Sequence, residues 1–297
     1  MGSKDSGGVA AARESVGRYG IWNAGLRSDD PALRGEIAEA AAELDELGFG
    51  AIWLGGSSSV EHAARVLGAT PRIAVATGIL SIWEHGADAV AASTAAVEAA
   101  HPGRFLLGLG VSHAQLADRY RRPYSAMVAY LDALDAAPAP VPAGRRVLAA
   151  LGPKMLELSR DRAGGAHPYL VTPEHTEQAR SLLGYGPLLA PELKVVLETD
   201  PAVARETARG YLAAYLAMPN YTNSFLRLGF EEADFTGGGS DRLIDTVFAW
   251  GDEDRIRRRI ESFHAAGADH VALQIVTGQD RSVLPRAEWR RLAEVLA

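Results

Sequence analysis

The chain has 297 residues, 47% of them hydrophobic, with 37 acidic against 30 basic side chains and a formal net charge of −7. That size and apolar content suit one large globular domain, and the acidic balance leaves no electrostatic footprint for nucleic acid. There is no cysteine, which excludes disulfides, thiolate nucleophiles, iron–sulfur ligation and cysteine zinc sites and fits a reducing, cytoplasmic setting; no apolar run is long enough to suggest a membrane span.

Residues 1–17 begin with a Gly/Ser/Ala-rich stretch without apolar periodicity and are expected to be a disordered leader. From residue 18 to 297, short β-branched runs alternate with helical patterns in a single expected domain. Arg18–Trp22 reads as the first strand. Asp30-Pro31 supplies an N-cap followed by proline at the first helical position, and Ile37, Ala41, Leu44 and Leu47 then line one helix face. Ala51–Leu54 is the second strand, Glu61–Leu67 a helix, Ile73–Ile79 the third strand, and Asp88–Ala100 a helix stopped by His101-Pro102-Gly103. Phe105–Gly110 is the fourth strand, followed by helix Tyr124–Ala136 and a Pro/Ala crossover over Ala137–Ala143. Val147–Leu151 and Ala166–Val171 read as strands five and six, the latter weak by propensity, each followed by a helix, Lys154–Arg162 and Thr172–Leu183. Leu193–Glu198 is the seventh strand and Val271–Val276 the eighth. Between them lie helix Ala202–Leu216, a Pro219–Leu228 segment, a loop at Thr236–Ser240, helix Asp241–Trp250 and amphipathic helix Asp252–Ala266, whose basic run at Arg255–Arg259 reads as a solvated face.

Strands that alternate with helices close most simply into a (β/α)8 TIM barrel, here with a helical insertion over residues 200–250. A doubly wound sheet would require a phosphate-binding glycine loop after its first strand, and Trp22-Asn23-Ala24-Gly25 does not provide one.

Barrel chemistry collects at the C-terminal strand ends. That rule selects Trp22 and Asn23, Gly55-Gly56, Thr77–Ser81, Gly110–His113 with Ser112 among them, Leu151–Pro153, Pro168–Thr172, Glu198 and Thr199, and Gln274. Carboxylates are scarce among them, which weakens glycoside hydrolysis and magnesium chemistry. His113, just past the fourth strand, is either a proton donor or a loop-holding structural histidine. Trp83 after the third strand is a stacking wall or a packing residue. The Gly152-Pro153-Lys154 helix start suits an anion, and Thr172 either joins it in a phosphate clamp or merely caps its own helix. His167 and His175 flank the sixth strand without metal-ligand spacing, so no metal is expected. Tyr211, Tyr215, Asn220, Tyr221, Asn223 and Phe225 form an aromatic, amide-rich patch in the insertion whose role as lid, packing or subunit contact stays open.

The segment Pro102–His113, PGRFLLGLGVSH, resembles the signature region of the bacterial luciferase-like monooxygenase superfamily. Leu47–Trp53, Ile73–Ile79, Ala149–Met155 and Gly164–Thr172 are similar to its matching segments, in order, from about Arg18 to the C-terminus. Within it, the chain looks most like the actinobacterial branch assigned to the deazaflavin coenzyme F420. The resemblance implies a barrel, often a homodimer, that binds F420 or, alternatively, FMN in its mouth and acts on a small-molecule substrate. It further implies a bulge, often with a cis peptide, at Gly78-Ile79 under the central ring. The backbone amides of Ala150, Leu151 and Gly152, together with Thr172, are then expected near the cofactor phosphate. Related sugar-phosphate dehydrogenases have an Asp-His pair after strand two, where this chain has Gly56-Ser57, and a glutamate acid where it has His113. Hydride transfer to an electrophilic C=C, C=N or C=O is therefore the expected chemistry, with His113, Trp83 and Asn23 as the catalytic candidates. The alternatives are an FMN monooxygenase using oxygen and a non-catalytic barrel.

Overall fold

The computed structural model describes residues 12–112, 121–280 and 283–297. Its strands are β1 (Tyr19–Asn23), β2 (Ala51–Gly55), β3 (Ala74–Gly78), β4 (Leu80–Ser81), β5 (Phe105–Gly110), β6 (Arg146–Leu148), β7 (Gly165–Ala166), β8 (Leu188–Leu189), β9 (Glu192–Val196), β10 (Phe248–Trp250) and β11 (Val271–Ile275). The helices used below are α1 (Arg34–Glu46), α2 (Val60–Gly68), α3 (Ala87–Ala100), α4 (Pro123–Ala136), α5 (Pro153–Arg162), α6 (Pro173–Leu183), α7 (Pro201–Leu216), α8 (Pro219–Arg227), α9 (Asp241–Val247), α10 (Glu253–Ala265) and α11 (Arg286–Leu296). Five of these, α4 to α8, open on a proline, which has no N–H to leave unpaired and has φ preset for a helix.

All strand pairs are parallel, in the order β10-β9-β11-β1-β2-β3-β5-β6-β7-β8, with β4 extending β3 along β5. β8 and β9 are one strand interrupted at Pro191, and that strand closes the ring. On one edge Ala190 N donates to Ala166 O at 3.0 Å and Glu192 N to Pro168 O at 2.9 Å. On the other, Asp269 N donates to Leu189 O and Ala272 N to Pro191 O, both at 2.9 Å. Proline cannot donate to a ladder but can still accept, so closure survives the interruption. The result is the expected (β/α)8 barrel.

Register sorts side chains to two sides. Ile21, Ile52, Val75 and Phe105 pair in sequence around the ring and all face the helices. Their neighbours Trp22, Trp53, Ala76 and Leu106 pair likewise and fill the interior. Both faces are buried, so the strands read as continuous apolar runs. Two indoles fit inside because the surrounding inward positions are small: a Cβ on Gly55 would lie 2.4 Å from Cη2 of Trp22.

Beyond shifts of one to three residues at strand ends, as where the expected strand Val147–Leu151 is Arg146–Leu148, the structure departs from the sequence expectations in four places. Residues 12–16, expected in the leader, are helical, with Ala12 and Val16 buried against the barrel interior. The sixth strand is only Gly165–Ala166, because Pro168 ends its donor row. The helix expected over Asp241–Trp250 stops at Val247, and Phe248–Trp250 pairs with β9 as β10. Helix α11, unanticipated, closes the outer ring against α10. Otherwise the passage between β9 and β11 is helical as expected, and packs a second core, including Ala208, Leu212, Phe225 and Phe248, over the barrel mouth.

Candidate active site

A cavity of about 1330 Å³ opens at the C-terminal strand ends. Volumes above a few hundred cubic ångströms are those of ligand sites. One wall is nearly bare of side chains: Gly78, Gly110, Ala149, Ala150 and Gly152 follow one another from β3 to the start of α5. The bareness is enforced by packing at Gly110, where a Cβ would come within 2.6 Å of Ile79 Cδ1. The Gly78-Ile79 peptide is cis. Ile79 N donates to Gly56 O and Ser58 N to Ile79 O, each at 3.1 Å, while Trp22 Nε1 donates to Gly78 O at 3.1 Å. At the far end of this wall α5 begins at Gly152 with no side-chain cap, and Lys154 lines the cavity beside it. His175, whose imidazole is depressed by burial, holds the loop through a 2.9 Å bond between Nε2 and Leu151 O.

The sequence-derived candidates separate into two groups. Asn23, Gly78, Ile79, Gly110, Ser112, Ala150, Leu151 and Gly152 all line this one cavity, although Asn23 Oδ1 also accepts from Leu26 N at 3.1 Å and so closes the turn after β1. Thr77, Thr172 and Trp83 do not line it. The Thr77 hydroxyl bridges strands, donating to Gly108 O at 2.7 Å and accepting from Gly108 N at 2.8 Å. Thr172 is buried and caps α6, accepting from His175 N at 3.3 Å. Trp83 packs on the outer core and donates through Nε1 to Val111 O at 2.5 Å. His113 lies outside the described residues. Among the described residues no cluster of three or more metal-ligand side chains occurs, and no helix is long and apolar enough to cross a membrane.

The remaining wall was only partly legible. Of the insertion patch, Tyr211, Tyr215, Asn220 and Tyr221 face the cavity, whereas Phe225 is in the second core and Asn223 is exposed; the mouth is walled by these rings, not plugged. Behind them, unpredicted, sits an ion pair with both side chains fully buried: Lys194 Nζ to Glu192 Oε2 at 2.7 Å. Burial lowers the Lys194 ammonium to about 8 and raises the Glu192 carboxyl, in each case against the attraction of the partner. The sequence signal was the Glu-Leu-Lys spacing, which places both charges on the inner face of one strand. His167 also lines the cavity, stacked at 4.1 Å on Trp53, with Nδ1 donating to Ala190 O at 2.7 Å. Burial depresses it to about 4, so its Nε2 presents a lone pair.

In sequence, residues 22–137 match the luciferase-like monooxygenase family. No curated protein matches the chain in sequence. Among solved structures, an F420-dependent secondary alcohol dehydrogenase in complex with an F420–acetone adduct superposes with a TM-score of 0.70 at 14% identity, over 94% of this chain and 98% of its own. The coenzyme F420-dependent tetrahydromethanopterin reductase of Methanopyrus kandleri gives 0.72 at 16%, over 94% and 97%. A type II Baeyer–Villiger monooxygenase, the oxygenating constituent of 3,6-diketocamphane monooxygenase from the CAM plasmid of Pseudomonas putida, in complex with FMN, gives 0.65 at 12%, also over 94% and 97%. At such identities the likeness is one of fold. Residues 22–137, from the end of β1 through α4, thus match the luciferase-like monooxygenase family in sequence, and nearly the whole chain shares the barrel fold of these solved structures.

Proposed function

We propose that the chain is an oxidoreductase that reduces a small organic substrate at this cavity, with coenzyme F420 as the hydride carrier. The observation that carries the reading is the bare wall from Gly78 to Gly152, which admits a broad planar ring system and ends at a helix N-terminus beside Lys154. The cofactor, when bound, supplies hydride transfer at its ring carbon. The chain's residues orient and shield. With a cofactor bound, Gly78, Ile79 and Gly110 would offer a flat floor to its ring, the Ala150–Gly152 backbone and Lys154 would hold its phosphate, and the second core over the mouth would limit water. His113 is the proposed acid on the substrate. His113→Ala then lowers turnover by roughly 10²-fold or more with cofactor affinity unchanged; unchanged turnover removes it from that role.

A second reading, an FMN-dependent monooxygenase, is favoured by charge. Among the described lining residues Lys154 is the one Lys or Arg, beside Glu84, Glu206 and Asp280. That balance suits a cofactor with a single phosphate better than one with an oligoglutamate tail. Titrating the apoprotein with each cofactor separates the two readings. F420 binding at roughly micromolar Kd or tighter, with FMN far weaker, is expected; the reverse order establishes the second reading, and binding of neither removes both.

A further inference from the structure

Across Trp22 from the bare wall, the cavity is lined by phenols. Trp22 bonds to Gly78 on one side and lies 5.2 Å, ring to ring, from Tyr169 on the other. Tyr169 follows β7, and Tyr211 and Tyr215 stand one turn apart on α7. Their hydroxyls form a triangle of 2.8 Å (Tyr169–Tyr211), 3.0 Å (Tyr169–Tyr215) and 3.0 Å (Tyr211–Tyr215). Gln274 on β11 fixes its polarity: Oε1 accepts from Tyr169 at 3.0 Å and Nε2 donates to Tyr211 at 2.6 Å. Directly behind, the Lys194 ammonium lies 3.8, 5.5 and 5.7 Å from the ring centroids of Tyr169, Tyr211 and Tyr215.

Packing alone does not account for this assembly. A buried ion pair is commonly no more stabilising than apolar residues of the same volume, and apart from the neutral His167 and His270 the described interior around Trp22 and Trp53 is apolar or small. Proton counting shows what the arrangement offers. The Tyr169 proton is committed to Gln274, because an amide oxygen only accepts. The protons of Tyr211 and Tyr215 are left to serve the three oxygen–oxygen contacts of the triangle. Two protons cannot serve three contacts, so at least one contact lacks a hydrogen in any arrangement; Tyr215, half-buried and facing the cavity, can give up its bond within the triangle and turn its proton to an incoming acceptor while Tyr211 continues to hold Tyr169. Burial raises the Tyr169 and Tyr211 hydroxyls above the ordinary phenol range, so both are donors at neutral pH. At the rim, Tyr124, Val203 and Val283 are apolar yet 43%, 49% and 51% exposed, a surface suited to an apolar substrate body.

We infer that the Tyr215 hydroxyl, backed by Tyr169, Tyr211, Gln274 and the Lys194 ammonium, is the binding subsite for a carbonyl oxygen, and that the substrates are ketones, aldehydes or enones with an apolar body. Addition of any nucleophile to the carbonyl carbon places negative charge on that oxygen, where a preorganised donor and a nearby cation stabilise it. The inference rests on the cavity being a redox active site, but not on which cofactor serves it.

The test uses 2-cyclohexen-1-one labelled with ¹³C at the carbonyl, added to the protein with and without each cofactor and followed by NMR. In the wild type the bound carbonyl resonance moves downfield, the signature of a donated hydrogen bond. In Tyr215→Phe the shift is lost and affinity falls about fivefold, the net worth of one neutral hydrogen bond. Tyr169→Phe, which keeps the Tyr215 hydroxyl, retains part of the shift and controls for a folding defect in the first variant. An equal shift in Tyr215→Phe, or no shift in the wild type under any cofactor condition, overturns the inference. Failure of the redox reading shows separately, as absence of cofactor binding while the carbonyl shift persists.

Discussion

Gly108 shows how tightly single residues constrain this barrel. A Cβ there would sit 1.9 Å from the backbone oxygen of Thr77, a residue whose hydroxyl bonds both the N–H and the carbonyl of Gly108 and so fixes the close approach. Gly108→Ala is therefore expected to destabilise the fold by about 3 kcal/mol or more in chemical denaturation. Gly152→Ala, whose Cβ meets nothing within 4 Å, should leave stability unchanged. Two interior histidines make a second prediction. His167 and His270 are fully buried and depressed by burial from 6.5 to about 4; His270 accepts from Trp53 Nε1 at 3.0 Å and donates to Gly17 O at 2.9 Å. As pH falls below 6.5 the unfolded chain takes up these protons first. Stability is thus full above about 6.5 and is lost as pH drops toward 4, by roughly 3 kcal/mol per histidine. Melting curves across that window should show this slope, and His270→Gln should flatten it. At this scale sequence alone was ambiguous. Thr77 and Thr172 were cofactor candidates because a hydroxyl at a strand end serves ligand or backbone equally well, and here both serve backbone.

Strand β9 carries the main element-scale consequence. Its inward residues Glu192 and Lys194 are paired at 2.7 Å with no exposed surface. Lys194→Met leaves a carboxylate buried without its cation and is expected to cost about 3–5 kcal/mol, whereas the double replacement Glu192→Leu with Lys194→Met should recover most of that loss. A double variant as unstable as the single one would show that the pair itself holds the barrel closed. Helices with proline starts and apolar periodicity, such as α5 and α6, were legible from sequence because their signals are local. β10 was not. Phe248–Trp250 continues the apolar run of α9, and only the free edge of β9 makes it a strand.

For the whole molecule, ligand binding and folding are linked. A cofactor seated in the cavity binds only the folded chain, so at a hundred times its Kd it should add about 2.7 kcal/mol and raise the melting temperature; no rise with either F420 or FMN would count against the cavity as a cofactor site. By itself the sequence determined the alternation of strands and helices, hence the barrel, and with it the strand ends where Gly78, Gly110 and Gly152 meet. Those inferences rest on periodicity, turns and caps, which act over a few residues. It did not determine that Tyr169, Lys194, Tyr211, Tyr215 and Gln274 form one cluster, since Tyr169 and Gln274 are 105 positions apart. Closure of a parallel ring brings strand ends together whatever the chain length between them, and the inward register of β9 and β11 then selects which side chains meet. That choice belongs to the tertiary structure alone.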